Sequence, residues 1–228
     1  MRSGGGLSRQ GTSSVARLRM NWENPKLNMY DSVDKENFFS VLPSDYAASG
    51  KPLIVFLGTD VPDAAKVMSD LDMSVFGDEN VAVGARLFRA IKLKGDKVSK
   101  EHPFWSDIGG KELPRVVVFD AAGNKAGALE GGELKASGLF KVMKKAASKT
   151  YKTDLEKVVK STRELLDEMD LIESKQKLLA EQKKSAKAAK LQQIESEEAA
   201  LAKALKDVQD KDAELLKKFG DDRKVAKG

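Results

Sequence analysis

The sequence predicts an α/β domain followed by a long helical coiled-coil segment, on three observations. Strand-like stretches, an apolar run at 52–57, an alternating one at 86–93 and a β-branched one at 115–119, are interspersed with stretches of helical spacing, the pattern of a sheet covered by helices. From Tyr151 to Phe219 there is neither glycine nor proline, and Ala, Glu, Lys, Leu and Gln dominate, which favours helix throughout. Charged residues at 33% against aromatics at 6% fit a chain of which part is extended helix with little interior.

The elements follow in order. Residues 1–30 form an arm rich in Gly, Ser and Arg, in which Arg2, Arg9, Arg17 and Arg19 precede the first acid. The arm has no apolar stretch of the secretory kind, and its glycine triplet would break an amphipathic helix. It reads as a flexible arm, with phosphate contact or partner docking as the alternative. Order is expected from near Trp22. Ser32 or Asp34 suits a cap for a short helix through Lys35 to Phe39, and Phe38, Phe39, Val41 and Leu42 form an apolar cluster before Pro43. Pro52 to Leu57 is a continuous apolar run ending at Gly58, as in a strand buried on both faces. Helical spacing follows from Pro62 to Asp72, with Asp60 as its cap. A strand is expected across Arg86 to Leu93, and a third, β-branched one at Arg115 to Phe119. Asp120 to Asn124 supplies turn chemistry, so Lys125 to Leu129 returns as a hairpin partner. A helix from Glu133 to Ala147 closes the domain.

That order of strand, helix, strand, proline-led strand, hairpin strand and helix resembles the thioredoxin fold, over roughly residues 35 to 148. Lys51 to Asp60 is similar to the opening of exported thioredoxin-like domains, whose strand runs into a Gly-Ser-Asp-Trp-Cys-x-x-Cys-Lys turn. Lys66 matches the lysine of that turn, and Leu113-Pro114 matches the loop proline that is cis in thioredoxins. The resemblance implies a thioredoxin-like sandwich with a central mixed sheet. It also places the two family cysteines at Pro62 and Ala65.

There the chain departs from the family. None of its 228 residues is cysteine, and thioredoxin chemistry needs a thiolate to attack and a second thiol to resolve. Disulfide exchange is therefore excluded, and no other catalytic residue is expected. In the family the proline loop also pairs with an extended peptide, added to the sheet edge as a strand. Pro114 and Arg115 are accordingly the candidate binding residues, against a simpler reading in which Pro114 shapes a turn and Arg115 is solvated.

Other chemistry is thin. His102 is the one histidine, without an orienting partner in sequence, and a structural role is expected. A zinc site needs three or four ligands and is not expected, nor is any cofactor. The glycines between 123 and 132 lie in and after a hairpin with no Gly-Lys-Ser/Thr following, so they are no phosphate loop. No apolar run reaches the length of a membrane span. The excess charge of +5 is spread thinly, with fifteen bases and fifteen acids between Tyr151 and Phe219, which makes nucleic acid an unfavoured partner.

In the helical segment, Val158, Thr162, Leu165, Met169, Ile172, Gln176 and Leu179 keep a 4-3 spacing. Leu191, Ile194, Glu198, Leu201, Leu205, Val208, Asp212, Leu215 and Phe219 keep it again. The two stretches are out of phase across Glu181 to Lys190. A seam this narrow demands a partner helix. Two arrangements satisfy it: an antiparallel hairpin turning near Lys183 to Ser185, or one long helix paired with another chain through a stutter. The absence of Gly and Pro favours continuity.

The expected organisation is an arm at 1–30, a thioredoxin-like domain at 31–150, a coiled-coil segment at 151–219 and a polar tail at 220–228. The expected function is that of a redox-inactive structural or protein-interaction module, not an enzyme, with the seam carrying self-association or partner docking. The alternatives are a non-catalytic client-binding member of a thiol-redox pathway and, more weakly, nucleic-acid or ribosome association. No compartment follows from the residues; without a visible signal the default is cytoplasmic, although the resemblance is to exported domains.

Overall fold

A computed structural model describes residues 19–25, 38–59 and 64–223. Two compact units emerge, an α/β unit of residues 18–159 joined by those from 219 onward, and a helical unit of residues 160–218.

The α/β unit is built on one mixed five-stranded sheet in the order β1-β3-β2-β4-β5. Its strands are β1 (Trp22–Glu23), β2 (Leu53–Gly58), β3 (Arg89–Lys94), β4 (Arg115–Phe119) and β5 (Lys125–Glu130). β1 and β2 run parallel to β3, while β4 runs antiparallel to both β2 and β5. Every residue of β2 and β4 is buried, which explains why β2 and, after Arg115, β4 read as apolar runs rather than as alternating ones.

Around the sheet lie α1 (Ser44–Ala48), α2 (Ala65–Ser74), α3 (Glu79–Ala85), α4 (Trp105–Ile108) and α5 (Ala136–Thr150). Strand pleating sends Leu53, Val55, Leu57, Val117 and Phe119 to one face, where they meet Phe38, Leu42, Tyr46, Phe104 and Ile108. Phe56 points to the other face and packs on Trp22 and Phe76, with ring centroids 5.6 and 4.9 Å away. Gly127 of β5 sits under Val142 of α5, so that helix covers this second face; a Cβ on Gly127 would lie 2.9 Å from a Val142 methyl.

Several expectations shift. The strand expected from Arg86 begins at Arg89, because residues 86–88 finish the turn after α3, with Leu87 N–H bonded to Gly84 C=O at 3.2 Å. α3 itself has no amphipathic signature, since Val81 to Ala85 are all buried. Its start is fixed by Asp78, whose carboxylate accepts from the N–H of Asn80 and Val81 at 3.0 and 3.1 Å. The helix expected from Pro62 appears as α2, and the one expected from Glu133 as α5; Asp60 and Pro62 lie outside the described residues. So do Ser32 and Asp34, and the described end of their expected helix, Phe38–Val41, is a 3₁₀ turn.

The helical segment forms α6 (Leu155–Lys183) and α7 (Ala188–Asp221). The single continuous helix is thus corrected to two. At the break, Lys184, Ser185 and Ala186 each bond to the carbonyl three residues back, at 3.2 to 3.4 Å, so the α-helix tightens and ends without glycine or proline. The helices run antiparallel: beside the turn the Lys183 ammonium meets Glu198 at 2.8 Å and Glu195 at 3.7 Å. Val158, Met169, Ile172, Leu179, Ile194 and Val208 are buried, and Leu165, Leu191, Leu201, Leu205 and Leu215 half-buried. The seam residues are thus covered within one chain. Leu166, at 1% exposure, lies deeper than its expected neighbour Leu165.

The boundaries move as well. Tyr151, Leu155, Val158 and Val159 are buried in the α/β unit, to which Phe219 also belongs. Residues 220–223 are no free tail: Asp222 C=O accepts from Lys152 N–H at 3.0 Å, and Tyr151 forms a β-bridge with Arg223. Among the described residues, no helix is long and apolar enough to cross a membrane.

Candidate functional site

Of the residues singled out by sequence, Pro114 and Arg115 follow the loop position Leu113, which meets the ends of β2 and β3. Leu113 precedes Pro114 across a cis peptide bond. β2 ends at Gly58 and β3 leads into Gly95, and these two glycines let three segments close on one another. A Cβ on Gly95 would lie 2.7 Å from Leu113 Cδ2 and 3.1 Å from the Gly58 carbonyl. A Cβ on Gly58 would lie 3.1 Å from Met68 Cε, in the first turns of α2. The glycines are therefore a requirement of close approach.

Ala65, the position matched to the second family cysteine, opens α2 and is exposed. It carries a methyl group, and no side-chain group caps the helix start. Pro62, matched to the first, lies outside the described residues. Nothing at Ala65 can serve as a nucleophile.

Pro114 and Arg115 are brought together with a partner the sequence did not reveal. Pro114 C=O accepts from Gly131 N–H at 3.1 Å, which extends the β4–β5 pairing. Arg115 sits opposite Glu130 in that pairing, and their side chains form an ion pair. The pair lies directly over Gly110, where any Cβ would run into Arg115 Nη1 and Glu130 Oε2. Glu130 also accepts from Lys111 N–H at 3.1 Å. Desolvation alone would raise the Glu130 pKa; the Arg115 hydrogen bond and charge, with the backbone N–H groups of Lys111 and Glu112, outweigh it and hold the carboxyl below its usual range. Arg115 is therefore neither solvated nor presented outward. Its side chain is 10% exposed and is tied to the loop through Glu130, which also holds Lys111 N–H.

Leu113 remains the open position. Its side chain is half-buried against Gly95, and among the described residues neither its N–H nor its carbonyl has a hydrogen-bond partner. A backbone unit with an unmet donor and acceptor, on a residue that is not fully buried, is the element to which an extended peptide adds as a strand.

His102 is a structural residue: Nδ1 accepts from Phe104 N–H at 3.2 Å, and the ring rests 4.7 Å from that of Phe104. Among the described residues, no three His, Cys, Asp or Glu side chains converge as a metal site would require. No protein-family model matches the chain, and no curated protein is significantly similar to it.

Proposed function

We propose that the chain is a redox-inactive, thioredoxin-like protein-interaction module that takes an extended peptide at Leu113. The reading is supported by the element order that carried the resemblance, β2, α2, β3, proline-led β4, hairpin β5 and α5, on one mixed sheet. The cis bond falls at the proline that the resemblance matched. With 228 residues and no cysteine, the module binds without reacting.

The observation that carries the proposal is the unpaired backbone of Leu113. Two main-chain hydrogen bonds to a peptide would satisfy it, each contributing about 1 kcal/mol net. Such contacts read no side chain, so affinity is modest and broad, and selectivity falls to the residues that flank the loop. The partner class is therefore an exposed, unstructured segment of another protein.

Hydrogen exchange tests this on the full chain. In the free protein the Leu113 amide is expected to exchange as an unprotected amide, and a pool of unstructured peptides is expected to slow it. If no peptide in the pool slows exchange at Leu113 while the sheet amides stay protected, the peptide reading fails.

A further inference from the structure

The covered seam leaves one apolar feature of the helical unit in solvent. Leu171 and Leu178 on α6 are 56% and 55% exposed. Seven residues apart, they project from one side of the helix, about 10 Å from each other along its axis. Neither contributes to the seam.

Charge is segregated along the same rod. Between Glu164 and Glu173 there are five acids and no base, whereas between Gln182 and Ile194 there are four lysines and no acid. Lys183 is engaged by Glu195 and Glu198. Lys184, Lys187 and Lys190 are exposed, as are Glu164 and Glu168 at the acidic end. The centres of the two stretches lie roughly 25 Å apart along α6 and its turn. A rod carrying one negative and one positive stretch, with Leu178 between them, is complementary to itself after a two-fold rotation.

We propose that two copies of the chain associate through this face of α6, antiparallel, about a two-fold axis beside Leu178. The rotation brings the two Leu178 side chains together and lays Glu168 of each copy, roughly 15 Å from the axis, beside the lysines at the turn of the other. The contact differs from the seam pairing expected from the sequence, because the seam is filled within the chain. It is separate from the Leu113 loop, so either proposal can fail alone. Two leucines and a set of solvent-exposed ion pairs make a weak, reversible and salt-sensitive dimer.

The absence of native cysteine gives a direct test. Leu178→Cys in the full chain is expected to form a disulfide-linked dimer under mild copper–phenanthroline oxidation at least tenfold faster than Ala200→Cys, an exposed position on α7. Equal rates overturn the proposal. Light scattering across a concentration series is expected to give a dimer at low salt and a monomer for Glu168→Lys. Adding Lys184→Glu and Lys187→Glu to that variant is expected to restore the dimer. A monomer at every concentration, or association indifferent to these exchanges, overturns it, as does a monomer whose lysines bind heparin in a salt-dependent way.

Discussion

The ring of Tyr151 lies 4.5 Å from that of Phe219, centroid to centroid, and the Tyr151 hydroxyl donates to the Leu87 carbonyl at 2.8 Å. One residue begins the helical excursion and the other ends it. Both are buried in the α/β unit, where residues on either side of the helical unit in sequence meet each other.

Phe219→Ala is expected to cost about 3–5 kcal/mol in urea unfolding, the usual loss for a buried aromatic ring. Tyr151→Phe keeps the ring but strands the Leu87 carbonyl, at about 1–3 kcal/mol. A fragment ending at Thr150 lacks both rings and is expected to melt broadly. A cooperative transition in that fragment, as steep as that of the whole chain, would show that the closure contributes nothing.

Acid should act through Glu23 on the edge strand β1. Glu23 accepts from Arg89 Nε at 2.9 Å and from the Tyr46 hydroxyl at 3.1 Å. The Arg89 hydrogen bond, against the opposing effect of burial, holds the Glu23 pKa below its ordinary 4.5. A depressed carboxylate gives stability that is whole above the unfolded-state pKa and is lost as pH falls through the folded one. Stability is therefore expected to drop below about pH 4.5, and Glu23→Gln to be weaker at neutral pH with a shallower acid limb. An identical acid limb in the variant would remove Glu23 from the explanation.

At the candidate site, Arg115→Ala is expected to cost about 3 kcal/mol by leaving the Glu130 carboxylate half-buried without its partner. Arg115→Met with Glu130→Leu should recover much of that, since the pair is exchanged for apolar contact. Thermal denaturation of the three proteins decides it: a double variant no better than the single one means the pair holds the loop in a way packing cannot replace.

Within the helical unit, neighbours should behave differently. Leu166→Lys forces a charge into a fully covered position and is expected to lower helix content measured at 222 nm. Leu165→Lys can extend its ammonium into solvent along its stem and should change it little. Equal losses would mean that Leu165 is covered as fully as Leu166.

Much of the sheet was legible because β2 and the Val116–Phe119 part of β4 are local apolar runs. α3 was not, since a short helix buried all round shows no period. Glu130 was hidden by one residue of register. Counting back from the pairing of Phe119 with Lys125 puts Leu129 opposite Arg115; the irregularity between Val118 and Phe119 moves the partner to Glu130. The Leu113–Pro114 loop was found from resemblance, but its open backbone could be seen only once the β4–β5 pairing showed which carbonyl Gly131 takes.

The sequence by itself determined that this protein has no thiol to react with, where its central strands run, and that a narrow apolar seam runs along its last third. Those are properties of composition and of short-range period, which any local window of the chain carries. Only the tertiary structure decided that the seam is covered by the chain's own second helix, that Tyr151 and Phe219 meet, and that Arg115 is held by Glu130. A period shows that a face must be covered without naming what covers it. The occupant is chosen by contacts between residues far apart in sequence, whose register depends on a bulge and on a turn with no glycine or proline to announce it.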